Sequence, residues 1–217
     1  MRQWLRFVRT TPSLTLLVVQ LGGILVYPFL AGERGFVGRT IFSGLGILVL
    51  LLVIRALRAT PWFSWISGLV FVPAVLLLLA SIVTGEDSLV ALSAAFEAVL
   101  YFYAGIALLA YMLRDDQVTT DELFAIPATF TLFAWAFAFV FVFLQWVDPG
   151  AFGPGDRSWM DLLYLSFTTL SSTGLSDIQP VTGHARSVIM IEQVVGIFYI
   201  AMVVTRLVSL RAERKRV

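Results

Sequence analysis

Asp161-Leu-Leu-Tyr-Leu-Ser-Phe-Thr-Thr-Leu-Ser-Ser-Thr-Gly-Leu-Ser-Asp-Ile-Gln-Pro180 is the stretch that decides how this chain is read. A helix over Trp159–Leu170, at about 1.5 Å per residue, reaches only about halfway through a bilayer core of about 30 Å. It is followed by small hydroxylic residues and one glycine. A re-entrant helix and loop fit this pattern; a full span does not. A loop at that depth must be buried in protein or line a watery cavity. The helix end near Thr168–Leu170 would aim its negative dipole at the membrane centre, where it attracts cations. Small residues and glycine let a backbone turn carbonyls toward an axis and let copies approach closely. One loop supplies only part of a ring, so a closed pore implies a homo-oligomer, with a tetramer the usual solution.

Composition supports a lipid setting. Of 217 residues, 59% are hydrophobic and 13% charged. So many apolar side chains cannot all hide inside one globule of this size. A net charge of +1 gives no reason to expect a nucleic-acid partner. The absence of cysteine excludes disulfides, thiol catalysis and Cys-based metal sites. A single histidine and no catalytic spacing of Ser, His or carboxylates argue against an enzyme.

Working outward, five apolar stretches are long enough to span: Ser13–Leu30, Phe36–Ile54, Phe63–Val83, Leu89–Met112 and Ile126–Trp146. A sixth, His184–Leu207, contains Glu192 and Arg206. The arginines before the first stretch raise the possibility of a secretory signal. Its length and the poor cleavage site at Tyr27–Ala31 favour a retained span. With both termini in the cytoplasm, inner segments hold 11 of the 15 Lys and Arg residues, in line with the positive-inside rule. The expected organisation is a peripheral bundle over 1–113, a cytoplasmic linker helix over 114–125, a pore domain over 126–210 and a basic tail over 211–217. Thr119 and Glu122 fit a capping box at the start of the linker helix, and Pro127 predicts a kink beyond it. The basic tail, beside a membrane, suits anionic lipid.

Across Asp161–Leu210 the sequence resembles the pore-loop potassium channel superfamily. Thr168-Thr169-Leu170-Ser171-Ser172-Thr173-Gly174-Leu175-Ser176-Asp177 falls into register with that family's T-T-x-T-T-V-G-Y-G-D pattern, and Pro180 follows. Ala185-Arg186-Ser187 through Glu192, Gly196, Tyr199 and Arg206-Leu207-Val208 is similar to the inner helix of bacterial members. The resemblance implies an all-α membrane protein of the tetrameric channel fold, in the cell membrane, with six transmembrane helices plus a re-entrant pore helix. It implies monovalent cations, potassium or sodium, as permeant ions rather than cofactors, bound at Ser172, Thr173, Gly174, Leu175 and Ser176. Two departures matter. Leu175 replaces a bracing tyrosine, and Ser176 replaces a glycine whose conformation is costly for residues with a side chain. The expectation is therefore a weakly selective or non-selective pore. The alternative is a non-conducting scaffold or partner-binding protein that keeps the pore fold.

Other residues carry open readings. Asp161 and Asp177 are bracing or vestibule groups. Glu192 either braces the pore helix from behind or senses protons or cations for the filter. Gly196 is a packing contact or a gating hinge. Tyr199, Met202 and Arg206 share helical spacing, so some of them face the axis or a neighbour, and Met202 is a candidate hydrophobic gate. Glu97, deep in the fourth span, is an interior polar contact or a ligand or cation site in the bundle. No span carries arginines at every third position, which excludes a voltage sensor there. His184 is expected to be a solvated surface group.

Overall fold

A computed structural model describes residues 11–31, 64–114 and 119–214, with side chains for 11–29, 69–114 and 119–208. Within them the chain forms six helices: α1 (Pro12–Ala31), α2 (Ser64–Thr84), α3 (Asp87–Met112), α4 (Thr120–Val147), α5 (Trp159–Leu170) and α6 (Gly183–Arg214). The expected span Phe36–Ile54 and the arginines at 2, 6, 9, 34, 39, 55 and 58 lie outside the described residues. Among the described residues α1, α3, α4 and α6 are each long and apolar enough to cross a membrane. α2 adds a shorter apolar stretch, Leu69–Thr84. The five expected spans within the described residues each coincide with a helix to within a few residues, except at the two ends considered next.

α4 starts six residues earlier than the predicted fifth span, and α6 continues beyond the sixth. Thr119 caps α4 by accepting from the Glu122 amide at 3.2 Å. The Glu122 carboxylate also accepts from the Thr119 hydroxyl, through Oε1 at 3.4 Å. It lies 3.5 Å from the Arg206 guanidinium on α6, and both side chains are largely buried. The linker and the fifth span are thus one helix, continuous through Pro127.

α4 is the centre of the described helices because both of its faces are covered. Its sequence alternates alanine with aromatic residues, and the helical turn sorts these into two clusters. Leu132, Trp135, Ala136 and Phe139 face α3 and α1. Phe133, Phe137 and Phe141, one turn apart, pack with Leu162, Leu165 and Ile189 of α5 and α6, and Phe133 and Phe137 also meet Phe102 of α3. The α3 side of the seam is small: Ala94, Ala98, Ala104 and Ala107 are buried there. Small residues let helices close up where lipid supplies no hydrophobic drive between them. At Gly105 a Cβ would stand 2.8 Å from the Phe133 ring, so this crossing needs glycine.

α6 is different. Among the described residues it packs mainly on α5 and, less extensively, on α4, and much of its surface is uncovered. Ile191, Val194, Ile197 and Phe198 form an exposed apolar face, Phe198 being 67% exposed in the single chain.

Candidate pore loop

Ser158 and Asp161 start α5 with a reciprocal cap. The Asp161 amide donates to Ser158 Oγ at 3.2 Å, and the Ser158 amide donates to Asp161 Oδ2 at 3.0 Å. This satisfies two amides that would otherwise lack partners. Gln145, at the end of α4, accepts from the Arg157 amide at 3.1 Å and donates to its carbonyl at 3.2 Å. The half-length helix is therefore anchored at its first turn to the end of α4. Buried Leu162, Leu163 and Leu165 hold its flank.

At its other end α5 closes in a Schellman-type turn. The Thr173 amide donates to the Thr168 carbonyl, and the Ser172 amide to the Thr169 carbonyl, both at 2.9 Å. The turn residue is Ser172, with φ of 59°, a conformation that helix ends of this kind usually give to glycine. It is the one non-glycine residue with positive φ among the described residues. The carbonyls of Thr168 and Thr169 thus turn back onto loop amides. Backbone strain falls on Ser172, and Ser176 keeps a negative φ.

Ser172, Thr173, Gly174 and Leu175 are exposed in the single chain, with Leu175 at 73%. Gly174 has φ of 66°, and a Cβ there would meet nothing within 4 Å. Ser176 is half-buried and accepts from the Ile178 amide at 3.1 Å. Asp177 is exposed and makes no hydrogen bond among the described residues. The loop is braced from a place that sequence reasoning missed: Tyr164 on α5 donates its hydroxyl to the Leu175 carbonyl at 2.7 Å.

Behind α5, Glu192 of α6 is fully buried and hydrogen-bonded to the Ser166 hydroxyl. Ser166 also lies 2.8 Å from the Ala134 carbonyl, so one hydroxyl ties α4, α5 and α6 together. One turn further on, Gly196 lies against the end of α5. A Cβ there would come 2.8 Å from the Leu170 carbonyl carbon and closer still to its oxygen. Tyr199 is buried and turned toward α4, where its hydroxyl donates to the Ile126 carbonyl at 2.5 Å. Met202 is 37% exposed, at the edge of a small cavity shared with Glu122 and Arg206. Of the three residues at helical spacing, Tyr199 and Arg206 face α4.

Beyond the loop, the Val181 amide donates to the Ala151 carbonyl at 2.8 Å and fixes the return strand. His184 is exposed and lies 3.3 Å from Asp148. The Thr182 hydroxyl, and after it His184, hold the Asp148 carboxyl below its ordinary range. Glu97 belongs to another place, the α3 bundle, and does not approach the loop.

Residues 129–212 match the family described as "Ion channel". The match runs from α4 through α5 and the loop after it to α6, and it supports an ion channel of the pore-loop kind. Together with the apolar helices it supports a membrane-embedded, multi-pass protein. No curated protein and no solved structure matches the chain.

Proposed function

We propose that four copies associate through their α6 faces and Ser172–Ser176 loops into a passive pore for monovalent cations, weakly selective or non-selective between potassium and sodium. One observation carries this reading. The half-length α5, wedged between α4 and α6, presents Ser172–Leu175 uncovered on the same chain as the uncovered apolar face of α6. Polar backbone exposed at membrane depth needs water or other copies of the loop around it. Hydroxyls and carbonyls of the loop then replace part of an ion's hydration shell. Ser172 and Thr173 supply the hydroxyls. The exposed Leu175 and a Ser176 outside the left-handed region leave the far half of the filter without the potassium channel arrangement. Met202, on the exposed side of α6, is the place for a hydrophobic constriction. Both termini lie in the cytoplasm, and the basic tail meets anionic lipid.

Purified protein in a planar bilayer tests the proposal. Currents whose reversal potential moves little under opposed potassium and sodium gradients are expected. Strong potassium selectivity would overturn the weak-selectivity reading. Silence under every ion, pH and lipid tried would favour the scaffold. A monomeric particle would remove the pore altogether.

A further inference from the structure

Away from the loop, α2, α3, α4 and the first residue of α5 enclose a cavity of about 260 Å³. Ser81, Glu97, Trp135, Phe139 and Trp159 line it, with Asp87 at the start of α3. Glu97 is 5% exposed and makes no hydrogen bond or ion pair among the described residues. A buried carboxylate without a partner is costly, and it is relieved by a proton or by an occupant that satisfies it. The remaining walls are aromatic. Trp135 and Trp159 meet edge to face with centroids 5.0 Å apart, and Phe139 lies 5.9 Å from Trp159.

The polar atoms available are mostly acceptors. Glu97 and Asp87 bring carboxylates. The Ser81 and Ser93 hydroxyls spend their protons on carbonyls of their own helices, at 2.7 and 2.8 Å, and keep lone pairs. The one cation on the lining, Arg157, donates from Nε to the Phe152 carbonyl at 3.1 Å. An anion finds little here. A hard metal ion wants about six oxygen ligands, and no group of three His, Cys, Asp or Glu residues suited to a metal occurs among the described residues. A neutral apolar guest leaves Glu97 unpaired. A carboxylate between indole and phenyl faces is the setting for an organic ammonium, whose charge meets Glu97 while its methyl or methylene groups lie on the rings.

We infer that the α2–α3–α4 cavity is a binding site for a small organic ammonium ion, held by Glu97 and the Trp135, Phe139 and Trp159 rings. The site does not depend on whether the loop conducts. The same chemistry reaches the cavity as a free amine or as an ammonium lipid headgroup.

Calorimetric titration of choline chloride into the full-length protein in phosphatidylglycerol nanodiscs tests this. Saturable binding is expected. E97Q keeps the shape but loses the charge, and should weaken binding roughly 10- to 100-fold. Trp135→Phe should weaken it by less. S81L, which fills part of the cavity and breaks only a hydrogen bond within α2, should abolish the heat if E97Q fails to fold. Repeating the titration in phosphatidylcholine nanodiscs identifies the source. An affinity lowered tenfold or more means that the headgroup occupies the site, and an unchanged one means a free amine; either supports the site. No saturable heat in phosphatidylglycerol, or equal heat from the wild type, E97Q and S81L, overturns the inference.

Discussion

The hydroxyl of Tyr164 donates to the carbonyl of Leu175 at 2.7 Å, linking the middle of α5 to the far half of the loop it precedes. Tyr164 is half-exposed and Leu175 more so, and this bond restrains Leu175 beyond the turn that ties Thr173 and Gly174 to Thr168. Tyr164→Phe removes it without changing the ring. Hydrogen exchange across residues 173–176 should then accelerate roughly 2- to 10-fold, as expected for a bond worth about 0.5–1.5 kcal/mol. Exchange mass spectrometry of the peptide containing the loop measures it.

Ser172 holds a left-handed conformation at φ of 59° to close α5. Glycine adopts that conformation freely, and a residue with a side chain does so at a cost of about 1 kcal/mol. Ser172→Gly should raise stability in detergent by about that amount. If the pore reading holds, it should also alter permeation, because a hydroxyl leaves the ion path. Thermal unfolding and bilayer currents on the same preparation separate the two effects.

Gly196 and Gly22 make a matched pair. A Cβ on Gly196 would drive into the Leu170 carbonyl, whereas one on Gly22 would meet nothing within 4 Å. Gly196→Ala should cost about 1–3 kcal/mol through overpacking against backbone that cannot yield. Gly22→Ala should be neutral or stabilising by up to about 1 kcal/mol. Chemical denaturation in matched micelles reads both.

Ser166→Ala deprives Glu192 of its hydrogen bond, and Glu192 Oε2 already lacks one within the described residues. A loss of about 1–3 kcal/mol is expected. Adding Glu192→Leu should return part of it, because the orphaned buried carboxylate is gone. Equal and additive losses in a double-mutant cycle would show that the two side chains are not coupled.

Asp148 is held below its ordinary range by Thr182 first and His184 second. A depressed carboxyl stabilises the fold above its unfolded pKa of about 3.9 and loses that contribution as pH falls through the folded value. Between pH 5 and 8 this group should therefore leave stability unchanged. Below about pH 4 the wild type should lose melting temperature faster than Asp148→Asn. Melting curves of the two proteins across that range check the sign.

Helix positions were legible from the chain because lipid demands long apolar stretches, and the short Trp159–Leu170 stretch stood out against them. Sequence reasoning missed the cap formed by Ser158 and Asp161, although serine followed three residues later by a carboxylate is a local pattern. It makes Asp161, read as a bracing or vestibule group, an anchor of α5. The pairing of Glu122 with Arg206 was not readable, because it joins helix ends far apart in sequence. Nor was the direction of Tyr199, since three residues at helical spacing fit several rotations of α6 equally well.

Local physics, then, is what the sequence alone determined: which stretches are apolar, where helices start, where a half-length one gives way to a hydroxylic loop. Those properties depend on residues within a turn or two of each other. Tertiary packing decided that strain sits on Ser172, that Gly196 admits the end of α5, and that Glu97 faces a cavity instead of a partner. Each of these depends on the distance between helices, a quantity set by every side chain in the seam at once.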